Sequence, residues 1–586
     1  MPLRVAVASL HSHADRSFLD DRTLALVAGD LRARGHHADL VAALLDSDER
    51  LDALVETLHG YDVVVVERVW DRALVEALND RLEATVVCCE GEHALADPPA
   101  DYVCAGALRA TVPALVTHLA GRGPLPAGAR AREPDGSWRD GLGKAEAPDD
   151  FAPVLRPVVV GPEGWGAERT FSIEGNAGCP YGADARESPL YAGAVIPEGY
   201  GRGCAFCTTG NRSEPSSPER TAQKVMTQLR YVRREAPELT RLVLKDQSPF
   251  GWLTEVVERC VEEGLGGFSL LLETRADWFL KNARRFERAL ALAAQADIRL
   301  CPFLVGIESF SDEELGRFNK GTTAAANEAF LAQLFAWAEA HPALDLSHAA
   351  FGLVLLTPWT RMRDLWANLE AIERTGFARL RGHLLVSKAR LYPDTALYYL
   401  AFRDDLLLDA HERASADNAR RYGYFPETPW RFADPEVARF AALGAELTER
   451  HGGRDQVRLF RALLEAFGEA ERPEDVTIAR VEQRLARPDP ALVRARLAKL
   501  VRPLSLEGEF AGGWRFGALA LRPRGLSVAL EHPEEGAVAL DIVPRAGGAR
   551  YARSRHYDLR HGGTALSEAQ DRALRAVCAA IVQNDR

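Results

Sequence analysis

Along roughly the first 120 residues, short unbroken apolar runs alternate with stretches whose apolar positions return every three to four residues. RVAVASL, ADLVAAL, DVVVV and ATVVCC are runs of the first kind, while TLALVAGDLRARG, LDALVETLHG and RALVEALNDRL carry the helical period. Apolar runs without polar alternation predict strands covered on both faces, and helices between them predict a parallel sheet. The fold class expected for residues 1–122 is therefore a doubly wound, Rossmann-like α/β domain. Such sheets take ligands beyond their strand ends, here the loops HSHAD (11–15), ERVWD (67–71) and CEGEH (89–93). Residues 123–165 are rich in Gly, Pro and charge and read as a linker. A second series follows over 166–435. Its runs TFSIEG, RLVLKD, GFSLLLE, IRLCPFLVGIE, HAAFGLVLL and LRGHLLVS predict a partial (β/α)6 TIM-like barrel with functional groups at the C-terminal strand ends. From 436 to 586 helices give way to short strands and a last helix, which predicts a C-terminal accessory domain of helical and α+β character. No fixed-period repeat is present.

Composition narrows the class. A chain of 586 residues with 47% hydrophobic and 27% charged residues is long enough for several buried cores. No apolar run reaches bilayer length, and MPLRVAVASL reads as a first strand, so a soluble cytoplasmic protein without membrane partners is expected. A net charge of −12 disfavours a broad nucleic-acid surface, and no nucleic-acid partner is expected. Nine unevenly spaced cysteines do not resemble a disulfide framework and fit reduced thiols.

The candidate chemistry lies in GCPYGADARESPLYAGAVIPEGYGRGCAFC (178–207), where Cys179 is followed at a distance by the close pair Cys204 and Cys207 around Phe206. A C-x-x-C pair has three common readings: a redox pair, half of a four-thiolate zinc site, or part of an iron–sulfur cluster. No second C-x-x-C completes a zinc ribbon, and a thioredoxin-like pair belongs at a helix start in a smaller fold. Spacing alone leaves open whether the three thiols form one site.

GCPY (178–181) and CAFC (204–207) resemble the two halves of a GCPYxCxFC stretch, pulled apart by roughly twenty residues. That stretch is typical of radical S-adenosylmethionine enzymes of the branch with an N-terminal cobalamin-binding domain. LVLKDQSPF (242–250), LLLETRADWF (270–279), GIES (306–309) with NKG (319–321), FGLVLLTPWT (351–360) and RLYPDTALY (390–398) resemble later patterns of the same family, so the likeness runs over about residues 1–430. The resemblance implies that Cys179, Cys204 and Cys207 hold three irons of a [4Fe–4S] cluster. It also implies that Glu308 meets the ribose of S-adenosylmethionine, Glu273 its amino group and Lys320 its carboxylate, with Phe206 and Arg275 in the same cofactor-binding set. The activity implied is methyl transfer to an unactivated carbon through a 5′-deoxyadenosyl radical, with rearrangement, cyclisation or oxidation as alternatives. Implied partners are an electron donor such as flavodoxin or ferredoxin and a small-molecule or peptide substrate; the implied cofactors are the cluster, S-adenosylmethionine and cobalamin. The chain departs from the pattern in places. Trp359 and Asp394 stand where a glycine is usual, as do Cys89 and Glu90, and no D-x-H-x-x-G is present, so cobalamin is expected without a lower ligand from His11 or His13. A non-catalytic iron–sulfur or zinc-binding interaction protein is the alternative from another class. Cys88, Cys89, Cys104, Cys260, Cys301 and Cys578 read as core thiols.

Overall fold

The computed structural model describes residues 1–11, 17–19, 21–67, 72–89, 98–146, 148, 150–165, 168–207, 209, 216–380, 384–393, 395–408, 428–451, 455–485, 501, 504, 509–510, 512–522, 525–544, 552–553, 557–561 and 566–584. Residues Met1–Gly468 form one compact unit and Glu469–Arg586 a second.

Within the first unit the apolar runs become a sheet whose central strand is Arg4–His11. It is flanked by His37–Leu44 on one side and by Val63–Glu67, Thr85–Cys89 and Tyr102–Cys104 on the other, all parallel. In chain order these five strands are arranged 2-1-3-4-5, a doubly wound order whose switch point lies between the first and third strands. The runs are apolar throughout because both faces are covered. Leu54, Val55 and Leu58 of the helix Asp48–Leu58 and Val75 and Leu78 of Arg72–Arg81 pack on Ala6, Val41, Val64 and Val66. Helices Arg22–Ala33 and Leu108–Leu119 pack against each other beside the sheet, the first of them capped by the Asp21 carboxylate, which accepts from Leu24 N–H at 3.0 Å. Residues 12–15, 68–71 and 90–93 of the three expected ligand loops lie outside the described residues.

The 123–165 stretch, expected as a linker, contributes strands to both edges of this sheet. Ala129–Arg132 and Trp138–Asp140 extend it antiparallel from Tyr102–Cys104, and Val158–Val160 pairs with His37–Leu44. A tight turn joins the first two, and Gly136 at φ +84° takes the left-handed position there.

A second sheet of six strands runs, in spatial order, Ser17–Leu19, Glu168–Glu174, Arg241–Lys245, Phe268–Arg275, Ile298–Glu308 and Gly352–Leu353, all parallel. Four of the expected barrel strands form in chain order, linked by helices such as Pro218–Glu235, which opens on an Ser217 cap and a proline at its first position. The fifth is reduced to Gly352–Leu353. The sixth, expected over LRGHLLVS, does not form a strand among the described residues. The N–H groups of Leu355 and Leu356 both donate to the Ser387 carbonyl, leaving one isolated bridge, Leu356 to Lys388, and Pro358 has no N–H with which to continue a ladder. The edge next to Glu168–Glu174 is occupied instead by Ser17–Leu19.

Helices Pro435–His451 and Gln456–Gly468, where the sequence turns helical, belong to the first unit. Gln456 accepts from Leu384 and Leu385 N–H at 3.4 and 3.3 Å, and Arg461 pairs with Glu373. The second unit is a six-stranded antiparallel sheet. One face, with Val528, Leu530, Leu540, Ile542 and Leu559, packs on Leu574, Val577 and Ile581 of the helix Glu568–Asn584. Among the described residues no helix is long and apolar enough to cross a membrane.

Candidate active site

The site grows from the C-terminal ends of the second sheet. Pro302 lies inside the strand Ile298–Glu308 and has no N–H for the ladder; Leu272 faces Pro302 and Glu273 faces Leu304, so Phe303 bulges out between them. That bulge falls immediately before the two charged residues of the neighbouring strand end, Glu273 and Arg275, and shifts the pairing so that they face Leu304 and Gly306. Glu273 accepts from Lys245 Nζ at 2.6 Å across the adjacent strand end. Arg275 is buried, and each of its three nitrogens donates within the protein. Nε meets Asp277 Oδ1 at 2.9 Å, Nη1 meets Cys204 Sγ at 3.3 Å, and Nη2 meets the Lys320 carbonyl. Its guanidinium carbon stands 4.0 Å from the centroid of the Tyr181 ring.

Glu308, at the end of the next strand, has φ 64°, in the left-handed region that side-chain-bearing residues rarely occupy. Its Oε1 accepts from Lys320 Nζ at 2.8 Å, and both residues are buried. Room for this pair comes from glycines: a Cβ on Gly306 would stand 2.3 Å from Glu308 Oε1 and 2.5 Å from Lys320 Nζ, and one on Gly352 2.9 Å from Glu308 Oε2. Gly321 clears space in the same way for the Tyr181 hydroxyl, 2.4 Å from where its Cβ would be. Burial pulls the Lys320 ammonium down, but Glu308 and the Cys204 thiolate together outweigh it and the net direction is upward.

The insertion that splits the cysteine motif leaves and returns at one place. Gly203 N–H donates to the Ala183 carbonyl and Ala185 N–H to the Gly201 carbonyl, each at 2.8 Å, with Asp184 and Arg202 bridged antiparallel between them. Asn319 locks the neck by donating from Nδ2 to both Gly203 and Ala183 carbonyls, at 2.8 and 3.0 Å. Beyond the neck, Tyr191 and Ile196 share a core with Leu397, Leu400 and Ala401, and the Tyr191 hydroxyl donates to the Arg317 carbonyl. Tyr200, four residues before Cys204, stacks on Tyr399. The closed neck places Tyr181 from the first half of the motif and Cys204 from the second on the same guanidinium.

Cys179, Cys204 and Cys207 are half-buried free thiols. Burial pushes the first two up; Arg275 and Lys320 pull both down, and Cys207 pushes both up, so the three thiols and two cations share one electrostatic environment. Cys207 Sγ accepts from Thr209 N–H at 3.4 Å. Phe206 stands edge-on to Phe318 at 5.3 Å with Lys320 Nζ 5.8 Å from its ring centre. Three cysteine sulfurs, two of them accepting hydrogen bonds, are a donor set suited to an iron–sulfur cluster, whose cysteines sit on separate irons. Among the described residues no group of three or more His, Cys, Asp or Glu is gathered so as to hold a metal ion as the structure stands.

The structure thus joins Cys204, Arg275, Lys320, Glu308 and Phe206 by direct contacts, leaves Cys179 and Cys207 linked to them only through electrostatic interaction, and places Glu273 beside them on Lys245. It adds Tyr181, Asp277 and Asn319, which sequence reasoning did not single out; the R-x-D spacing of ETRAD and the asparagine of NKG were the available signals. At the switch point of the first sheet, His11 Nε2 is 3.2 Å from Ser9 Oγ and its ring meets Trp165 edge-on. His13, Glu90 and Asp394 lie outside the described residues. The other six cysteines are all buried, and burial pushes the thiols of Cys88, Cys260, Cys301 and Cys578 up to about 12.

No known family profile matches the chain, and no curated protein sequence does. Solved structures do match. The cobalamin-dependent S-adenosylmethionine radical enzyme OxsB, with aqua-cobalamin and S-adenosylmethionine bound, superposes with a TM-score of 0.54 at 12% identity, over 86% of this chain and 74% of that one. The same enzyme with aqua-cobalamin alone gives 0.53 over the same shares, and its apo form 0.53 over 86% and 73%, both again at 12% identity. At this identity the likeness is one of fold: the chain has the mixed α/β architecture, with parallel sheets, of a cobalamin-dependent radical enzyme.

Proposed function

We propose that this protein is a cobalamin-dependent radical S-adenosylmethionine enzyme whose reaction is methyl transfer to an unactivated carbon. The observation that carries the reading is the closed neck of the insertion, which seats both halves of the split cysteine motif on Arg275. Cys179, Cys204 and Cys207 are the residues that would hold a [4Fe–4S] cluster, at the C-terminal ends of the second sheet, and the switch point of the first sheet beside His11 is where a corrin would sit. When bound, these groups supply one-electron cleavage of S-adenosylmethionine and a carrier for the methyl group.

The remaining roles belong to the chain. Lys320 and Glu308, buried and paired, present a fixed cation and carboxylate to a zwitterionic ligand; Glu273, held by Lys245, offers a further carboxylate one strand away. Phe206 closes the apolar side against Phe318 and keeps water from the reacting region. An electron donor such as flavodoxin or ferredoxin, and a small-molecule or peptide substrate, complete the scheme.

Anaerobic reconstitution tests the metal. Four irons and four sulfides per chain are expected, and one zinc in their place refutes the reading. Cys179→Ala, Cys204→Ala and Cys207→Ala should each abolish the brown chromophore and formation of 5′-deoxyadenosine; a full cluster in Cys179→Ala removes Cys179 from the site. With added cobalamin and substrate, equal yields of S-adenosylhomocysteine and 5′-deoxyadenosine support methyl transfer. Substrate-dependent 5′-deoxyadenosine without S-adenosylhomocysteine replaces it by rearrangement, cyclisation or oxidation.

A further inference from the structure

Arg275 has no donor nitrogen left over to serve a diffusible ligand as its main partner. Nε is held by Asp277, whose other oxygen takes Lys281 Nζ at 2.8 Å; Nη2 is held by the Lys320 backbone; Nη1 points at a cysteine sulfur. One face of the guanidinium lies on Tyr181, two residues after Cys179, and Trp278 stands 5.4 Å from it. Three segments distant in sequence therefore meet on this side chain: the first half of the split motif, the second half, and the segment carrying Lys320.

We infer that Arg275 is a positioning residue for the cluster: it seats Cys204 against the Tyr181 segment and, through its N–H to the Cys204 sulfur, raises the potential at which the cluster takes up an electron. The inference rests on the cluster reading proposed above. Its physics is general. Reduction adds negative charge to the cluster and its thiolates, and a hydrogen bond to a ligating sulfur stabilises the more negative state. A buried positive charge beside that sulfur acts in the same direction, weakly screened in a low-dielectric surrounding. Asp277 opposes it. Its carboxylate is paired with Arg275 and buried, so it tempers the field that the guanidinium exerts. The two residues should shift the cluster in opposite directions, which a purely structural role would not do.

The experiment is a spectroelectrochemical titration of the reconstituted full chain without S-adenosylmethionine, with cluster content measured by iron and sulfide. Arg275→Met is expected to move the midpoint to more negative potential, Arg275→Lys to fall between it and the parent protein, and Asp277→Asn to move it to more positive potential. Unchanged midpoints, or shifts of the same sign in Arg275→Met and Asp277→Asn, overturn the inference. If Arg275→Met keeps its circular dichroism spectrum and loses its cluster, the seating role is supported and the midpoint is read from Arg275→Lys and Asp277→Asn. If it loses the spectrum as well, Arg275 is a core ion pair and the seating role falls. A parent protein without four irons defeats the underlying reading; a parent protein with them and indifferent variants defeats only this inference.

Discussion

Lys320 and Glu308 show how a single pair joins stability to recognition. Both are buried, and each is the other's charged partner at 2.8 Å. Removing one end of such a pair strands the other in a poorly solvated place, at a cost of about 3–5 kcal/mol, whereas removing both costs less than the sum. Urea unfolding of Lys320→Met, Glu308→Gln and the double variant should show this; additive losses would mean that the pair is already hydrated. The single variants should also weaken S-adenosylmethionine binding roughly ten- to a hundredfold, the loss of one charge-assisted hydrogen bond. Glu314 supplies a pH signature. Burial pushes it up to about 7, Arg317 and the Thr357 hydroxyl countering only part of that. A carboxyl that binds its proton more tightly in the fold than in the open chain stabilises the fold at low pH and loses that contribution as pH rises through the folded value. Unfolding free energy should therefore decline between about pH 4.5 and pH 7 and level off above that, by on the order of 3 kcal/mol at most, and Glu314→Gln should flatten the decline; an identical profile in the variant would assign it elsewhere. At this scale the sequence was informative about types and poor about partners. The cysteines, Glu308 and Lys320 stood out through resemblance to a family's motifs, but nothing in the string paired Arg275 with a sulfur or set Tyr181 beneath it.

Among the elements, long apolar runs were legible and short strands were not. Val63–Glu67 announces itself by unbroken hydrophobicity, because two covered faces demand it, and Ile298–Glu308 by a long apolar run interrupted near its start by Arg299. Val158–Val160, Ala129–Arg132 and Ser17–Leu19 are three or four residues long, too short for any period to emerge, and their membership in a sheet is decided by what lies beside them. The insertion at 182–203 illustrates the limit best. Sequence resemblance located the two halves of the motif on either side of it, but the neck that reunites them is made of backbone hydrogen bonds and the Asn319 amide. Loop closure costs little extra with length, so an ordered excursion is compatible with one site. Its order depends on Tyr191, whose ring is buried and whose hydroxyl meets the Arg317 carbonyl. Tyr191→Phe should cost about 0.5–1.5 kcal/mol, one hydrogen bond, and Tyr191→Ala about 3–5 kcal/mol with partial loss of cluster. Thermal and urea melts with iron content check both; full cluster and parental stability in Tyr191→Ala would make the excursion a passenger.

At the level of the whole chain, a fold can be shared where few residues are, as the likeness to OxsB at 12% identity shows. The strand Ser17–Leu19 has a practical consequence. It leaves the first sheet immediately after the switch point, pairs with Glu168–Glu174, and is followed by Arg22, which bonds Glu174 at 3.0 Å. The barrel sheet thus borrows its outer strand from the other end of the sequence. Cutting the gene at residue 166 would strip that strand away and leave a row of unpaired amide groups on a parallel, apolar sheet, an invitation to chain-to-chain association. A 166–586 fragment should elute as soluble aggregate or precipitate on size-exclusion chromatography, and a well-behaved monomer would show that the borrowed strand is dispensable. In manufacture as in folding, the two sheets of the first unit are expected to behave as one indivisible piece.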